Sequence, residues 1–182
     1  MVLKRLKIIY IGLLLILLSS GVACAQQEKV TEYQIKAAFI YNFTKFISWP
    51  QKAFASESVP FVVEILGDDP FGPSIEPLRA LHVNDRSVDI QYAENDTAIK
   101  PCHVLFIGAS EKKRVKQILQ KIKGLPVLTV SDITGFSRKG GIIEFRVKKE
   151  QLRFFINLEA ARSAGLKISY QLLSLAKEVI GK

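Results

Sequence analysis

Two kinds of hydrophobic pattern alternate along the chain, and each predicts an element. Three short, nearly unbroken apolar runs, FVVEILG (61–67), CHVLFIG (102–108) and PVLTVSD (126–132), have the length and polar or glycine endings of buried strands. Arg86 to Tyr92 alternates apolar and polar residues, which predicts a more exposed strand. Ile142 to Val147 and Leu152 to Leu158, separated by KKEQ, predict an antiparallel hairpin. Helical spacing fills the gaps. Val115, Ile118, Leu119 and Ile122 mark a helix over 111–123, capped by Ser110 and ended by Gly124. Leu172, Leu173, Leu175, Ala176, Val179 and Ile180 predict a last amphipathic helix from Ser169 to Ile180, with Gly181 as terminator. A short helix over 74–81 is held at its start by Pro73.

One stretch does not fit the simple stripe of a surface helix. TEYQIKAAFIYNFTKFISWP, residues 31–50, offers Thr31 as an N-cap and Pro50 as a stop, with no glycine or proline between them. Projected on a helical wheel over 31–47, its polar Gln34, Asn42 and Lys45 cluster, while apolar residues fill roughly two-thirds of the circumference. Two readings follow. The helix lies between the sheet and a neighbouring helix, or its second face, rich in Phe and Tyr, meets another protein chain.

Buried strands separated by helices predict an α/β fold with a mainly parallel central sheet and helices on both faces. The C-terminal hairpin adds antiparallel strands at one edge. Repeats and low-complexity linkers are absent.

Composition changes this picture mainly at the N-terminus. Of 182 residues, 26 are Lys or Arg and 17 Asp or Glu, a formal net charge of +9. Lys4, Arg5 and Lys7 precede the apolar run IIYIGLLLILLSS and the small triplet Ala23-Cys24-Ala25. That is the layout of a secretory signal peptide over residues 1–25, with cleavage after Ala25 and export to the periplasm. A lipoprotein signal using Cys24 is the alternative, disfavoured by Gly21 three residues earlier. Residues 26–182 then form a single domain. The clusters of remaining positive excess lie at 112–123 and 138–149, without interleaved aromatic rings in the first cluster, which argues against nucleic acid. A solvated helix face or attraction to an anionic membrane surface accounts for them. Loss of the leader also leaves Cys102 as a lone cysteine, read as a small buried hydrophobe.

Candidate chemistry is sparse. Loops at the carboxyl ends of parallel strands form the natural ligand crevice, and here they read GDDPFG, GAS and SDITGF. Asp68, Asp69, Ser110 and Asp132 are their candidate ligand residues, as oxygen donors or as ordinary turn and cap residues. His82 and His103 do not make a metal site by themselves. No nucleophile elbow, phosphate loop, dinucleotide fingerprint or zinc-protease motif occurs. The sequence predicts neither an enzyme nor a cofactor.

Several strings in order resemble one family. EYQIKAAFIYNFTKFISWP, ILGDDPFGP, CHVLFIGASE, VLTVSDITGF, GGIIEF, RFFINLEAARSAGLKIS and LLSLAKEV are similar to the YfiR/HmsC-like family of periplasmic regulators. The resemblance implies a repressor that binds the periplasmic sensor domain of an inner-membrane diguanylate cyclase, lowering cyclic di-GMP and biofilm formation. It further implies release by an outer-membrane sequestering protein or by envelope stress, and a homodimer. Paired cysteines of better-known members are missing, so redox control through an intramolecular disulfide does not carry over. The expected partner-binding residues are Phe39, Tyr41, Phe43, Phe46 and Trp49, with 168–180 as a second stretch. A periplasmic small-ligand module using the strand-end loops is the competing function.

Overall fold

A computed structural model describes residues 30–181. The leader expected over 1–25 lies outside the described residues. The order of elements is α1 (Glu32–Thr44), β1 (Ile47–Ser48), β2 (Phe61–Leu66), β3 (His82–Val83), β4 (Arg86–Ala93), β5 (Val104–Ile107), α2 (Val115–Lys121), β6 (Leu128–Ser131), β7 (Ile143–Lys148), β8 (Gln151–Asn157), α3 (Leu158–Ser163), β9 (Lys167–Ile168), α4 (Tyr170–Leu175) and β10 (Glu178–Ile180). Short 3₁₀ turns at Gln51–Ala53, Gly72–Ser74, Glu76–Ala80, Ala109–Lys113 and Ser137–Lys139 join them.

The central sheet has eight strands in the order β10-β8-β7-β6-β5-β2-β4-β3. The run β7-β6-β5-β2-β4 is parallel, and β8 pairs antiparallel with β7. The apolar runs of β2, β5 and β6 are buried throughout because both faces of the sheet are covered. Alternate side chains feed two cores. One contains Phe61, Val63, Phe106, Val130, Phe145 and Phe154 beneath α1, α3 and α4. The other sets Leu66, Leu105 and Ile107 against Val115 and Ile118 of α2. The α/β class expected from the pattern is the architecture found.

Several boundaries depart from the sequence expectation, each for a physical reason. Helix α1 starts as expected: Thr31 and Gln34 form a capping box, with the Gln34 amide N–H donating to Thr31 Oγ1 at 3.2 Å. It stops at Thr44 instead of Ile47, because Ile47 and Ser48 pair with Ile168 and Lys167 as β1 and β9. Ser110 does not cap α2. Its hydroxyl accepts the Asp68 N–H instead, and residues 109–113 wind as a 3₁₀ turn before α2 begins at Val115. The hairpin is tighter than KKEQ suggested, turning on Lys149 and Glu150, both at positive φ. Strand β8 ends at Asn157, whose side chain accepts the Ala160 N–H and starts α3 at Leu158. The last helix is cut to Tyr170–Leu175. Glu178 to Ile180 then joins the sheet as β10, parallel to β8. Apolar residues that read as one helical stripe are thus divided between a helix and an edge strand.

Two groups missed by the pattern, one half-buried and one fully enclosed, tie loops to this frame. Arg86 donates to the carbonyls of Ser56, Glu57 and Val59, at 2.7–2.9 Å, and lies over the Phe54 ring. Glu144, fully enclosed, accepts from Gly135 N, Ser137 N, Ser137 Oγ and Arg146 Nε. Those four donors pin the β6–β7 connection.

Candidate partner surface and strand-end crevice

Connections leave β2 toward β4 and β5 toward β6 in opposite directions, so the topological switch point lies between the carboxyl ends of β2 and β5. The residues there are knitted to one another. Gly67 takes φ +83°, and a Cβ on Gly108 would lie 2.8 Å from the Asp68 carbonyl oxygen. The Gly108 N–H donates to the Leu66 carbonyl, and the Asp68 N–H donates to Ser110 Oγ at 3.0 Å. Asp69 folds its carboxylate back onto the N–H groups of Phe71 (2.8 Å) and Gly72 (3.1 Å), an Asx turn. The Asp69 and Ser110 side chains are therefore occupied in local turn bonds, whereas Asp68 engages through its backbone N–H and its carboxylate is exposed. Among the described residues, no group of three or more His, Cys, Asp and Glu is placed to hold a metal.

Asp132 has a different role. It accepts from Lys36 Nζ at 2.6 Å and from the Tyr33 hydroxyl at 3.0 Å, while Lys36 also meets Glu32 at 2.6 Å. Lys36 is 2% exposed. A buried ammonium needs such partners, because desolvation alone would push it to the neutral form. Burial does lower its pKa, but the hydrogen bonds it donates to Asp132 and Glu32 outweigh that, and the net shift is upward. Burial and the neighbouring Asp132 carboxylate push the Tyr33 phenol up as well. This cluster locks α1 onto the end of β6. Lys36 lay unremarked in the sequence because nothing local says which helix face is covered.

The five aromatic candidates separate. Phe43 is 1% exposed, its ring 5.1 Å from Phe154 and 5.7 Å from Phe145, so it is a core residue and unavailable to a partner. Trp49 stands edge-on to Phe61 and donates Nε1–H to the His103 carbonyl at 3.3 Å. Tyr41 donates its hydroxyl to the His82 carbonyl at 3.1 Å. Both are half-buried and used inside the molecule. Phe39 is half-buried beside Phe154, and Phe46 is 36% exposed. The outward stripe of α1 is Ile35, Ala38, Asn42 and Lys45.

The structure brings Phe39 to the second stretch named in the sequence. A shallow hollow of about 480 Å³ is lined by Phe39, Leu152, Phe154, Leu175 and Ala176, with Arg153 and Lys177 at its rim. Leu175 is 68% exposed and nearby Tyr170 82%. Large apolar side chains that open to water in this way mark a contact surface more often than a core. A separate cleft of about 630 Å³ opens at the amino ends of β2, β5 and β6, lined by Val62, Ile99, Cys102, His103, Leu125 and Val127. Burial, reinforced by Glu64, pushes the Cys102 thiol far up, so it stays protonated. Its half-buried sulfur is one apolar wall of that cleft, close to the role expected of it.

The geometry is that of an α/β domain whose strand-end loops are closed on themselves. The chain belongs to the YfiR/HmsC-like family, which it matches over residues 33–177. That family is regulatory, non-catalytic and periplasmic, and its members act with partner proteins in signalling. No helix among the described residues is long and apolar enough to cross a membrane. A crystal structure of a conserved domain protein from Vibrio cholerae O1 biovar El Tor strain N16961 is similar in fold, with a TM-score of 0.53 and 10% sequence identity. The match covers 82% of this chain and 60% of the Vibrio chain, so this chain spans less than two thirds of that protein. At that identity the likeness speaks to fold alone.

Proposed function

We propose that the protein is an exported, non-enzymatic repressor that binds the periplasmic sensor domain of an inner-membrane diguanylate cyclase and lowers cyclic di-GMP. The observation that carries this reading is the apolar hollow beside α1, where Phe39 meets Leu152, Leu175 and Ala176 in a member of a regulatory family. Such a regulator needs only to bind one state of its target better than the other. Moving a two-state equilibrium from 1:99 to 99:1 takes a differential affinity of about 5.5 kcal/mol. A few apolar anchors seated in a complementary surface supply energies of that size. Phe46, exposed just after α1, is a further contact residue for this reading, and homodimer formation or capture by an outer-membrane protein would compete with cyclase binding.

The test pairs cell and solution. Deleting the gene raises cyclic di-GMP where a matching sensor cyclase is present, and Leu175→Glu reproduces the deletion while the protein still melts cooperatively. Unchanged cyclic di-GMP in the deletion strain, or wild-type binding by Leu175→Glu, overturns the reading.

A second reading has its own observation. The cleft at the amino ends of β2, β5 and β6 has the volume and apolar lining of a small-molecule site. It differs from the strand-end loops that the sequence suggested. A thermal-shift screen of small envelope metabolites tests it, and stabilisation abolished by Val62→Trp supports it. Wild-type protein that no compound stabilises rejects it.

A further inference from the structure

The outer face of the β7–β8 hairpin carries charge that neither reading uses. Strand register sets Arg146 directly opposite Arg153, and Lys148 opposite Gln151, on the face turned away from α1. Like charges placed opposite each other across an antiparallel pair destabilise it. The Lys149-Glu150 turn adds strain, since both residues sit at positive φ (50° and 60°), where side chains without a local hydrogen bond are disfavoured. A fold selected only for stability would avoid both features.

These residues line one hollow of about 510 Å³. Arg146, Lys148, Lys149, Arg153 and Lys177 surround it, Phe155 forms its floor, and Glu178 is its single carboxylate. Glu178 pairs with Arg138, which lies outside the lining, at 3.4 Å. The hollow is partly organised in advance. Arg146 lies 3.9 Å over the Phe155 ring and gives only its Nε–H to Glu144, leaving its terminal nitrogens without an acceptor among the described residues. Arg153 gives one terminal nitrogen to Gln151, and its buried Nε–H has no partner. Lys148, Lys149 and Lys177 form no ion pair among the described residues.

We propose that this hollow binds a phosphate-bearing anion, its oxygens taken by the paired guanidinium groups and flanking lysines and its organic part resting on Phe155. Two fork-shaped donors with several ammonium groups match the charge and oxygen count of a phosphate better than a lone carboxylate. The ligand is either a soluble phosphate ester or the headgroup of an anionic phospholipid. The second source would set the domain against the membrane.

Glycerol 1-phosphate, by titration calorimetry, and vesicles of phosphatidylcholine with and without phosphatidylglycerol, by co-sedimentation, distinguish the two. The variant Lys148→Glu/Lys149→Glu removes charge from the hollow. The control Lys112→Glu/Lys113→Glu makes the same change of net charge on the turn at residues 109–113, which does not line the hollow. Binding of glycerol 1-phosphate that weakens at least about tenfold in the first variant but not in the control assigns a free phosphate ester. The same pattern with phosphatidylglycerol vesicles alone assigns a headgroup. In either case binding falls as salt is raised. Wild-type protein that binds neither probe, or equal losses in both variants, overturns the proposal. Should the first variant lose its cooperative melt, Lys148→Ala answers the same question.

Discussion

Ionisable side chains enclosed by this fold divide by whether their partners outweigh the loss of water. Lys36 is held charged by Asp132 and Glu32, and its pKa is raised above 10.5. A raised folded pKa stabilises fully below the unfolded value and is lost as pH climbs through the folded one. Tyr33, raised above 10.0, acts in the same direction, because the unfolded phenol ionises first. Stability should therefore hold to about pH 10 and fall above it, as urea unfolding at stepped pH would show. Lys36→Ala leaves Asp132 without its cation and costs about 3 kcal/mol. If the alkaline fall is unchanged in Lys36→Ala/Tyr33→Phe, the cluster is not its source. Glu64 and Glu144, both fully enclosed, behave oppositely. Burial raises Glu64 above 4.5 in spite of the Lys100 N–H, so its charge costs stability once pH passes its folded pKa. Burial also pushes Glu144 upward, but donors from Arg146, Ser137 and Gly135 outweigh it, and the net shift is down. Glu144 thus stabilises above pH 4.5, and the gain is lost as pH falls through its folded pKa. Glu64→Gln should raise the melting temperature at pH 7, whereas Glu144→Gln should lower stability by about 2 kcal/mol. Both differences shrink in acid, and calorimetry at pH 7 and pH 4 checks the signs.

At the scale of elements, α1 is asymmetric. Its Ala37, Ile40 and Phe43 enter the core, while Ile35 and Ala38 face outward. Phe43→Ala should cost about 3–5 kcal/mol in urea unfolding, since it leaves a cavity between Phe145 and Phe154. Phe46→Ala, at 36% exposure, should cost under about 1 kcal/mol and yet weaken partner binding. Equal stability losses would mean that Phe46 is structural. The Thr31 cap and Pro50 stop identified α1, and helical spacing identified α2 because its apolar residues repeat within a single element. The same rule misread the C-terminus, since Val179 and Ile180 keep helical spacing with Leu172 and Leu175 but pair with Ile156 and Asn157 of β8. Periodicity cannot register an open sheet edge that offers unpaired backbone groups to the last residues.

At the scale of the whole molecule, the sheet separates three surfaces. The apolar hollow beside α1 and the basic hollow of the hairpin approach each other along β8, where Arg153 and Lys177 border both. The small-molecule cleft opens at the amino ends of the parallel strands. A regulator that meets a membrane-anchored partner would use the first two together. Leu175→Glu should then abolish cyclase binding in a pull-down of the purified periplasmic domain, while Lys148→Glu/Lys149→Glu leaves that soluble contact intact. Loss in both would mean that the basic hollow belongs to the partner surface.

The class of fold was readable without coordinates, because buried parallel strands must be apolar on both faces and helices must repeat near every third or fourth residue. Which aromatic rings face inward was not, since α1 is apolar around most of its girth and only its neighbours decide which side is covered. The same holds for Lys36 with Asp132 and for Glu144 with Arg146 and the loop it pins, whose meaning depends on partners remote in the chain or on which sheet face is enclosed. Local patterns determine elements; burial, and with it the cost of every enclosed charge, is settled only when those elements pack.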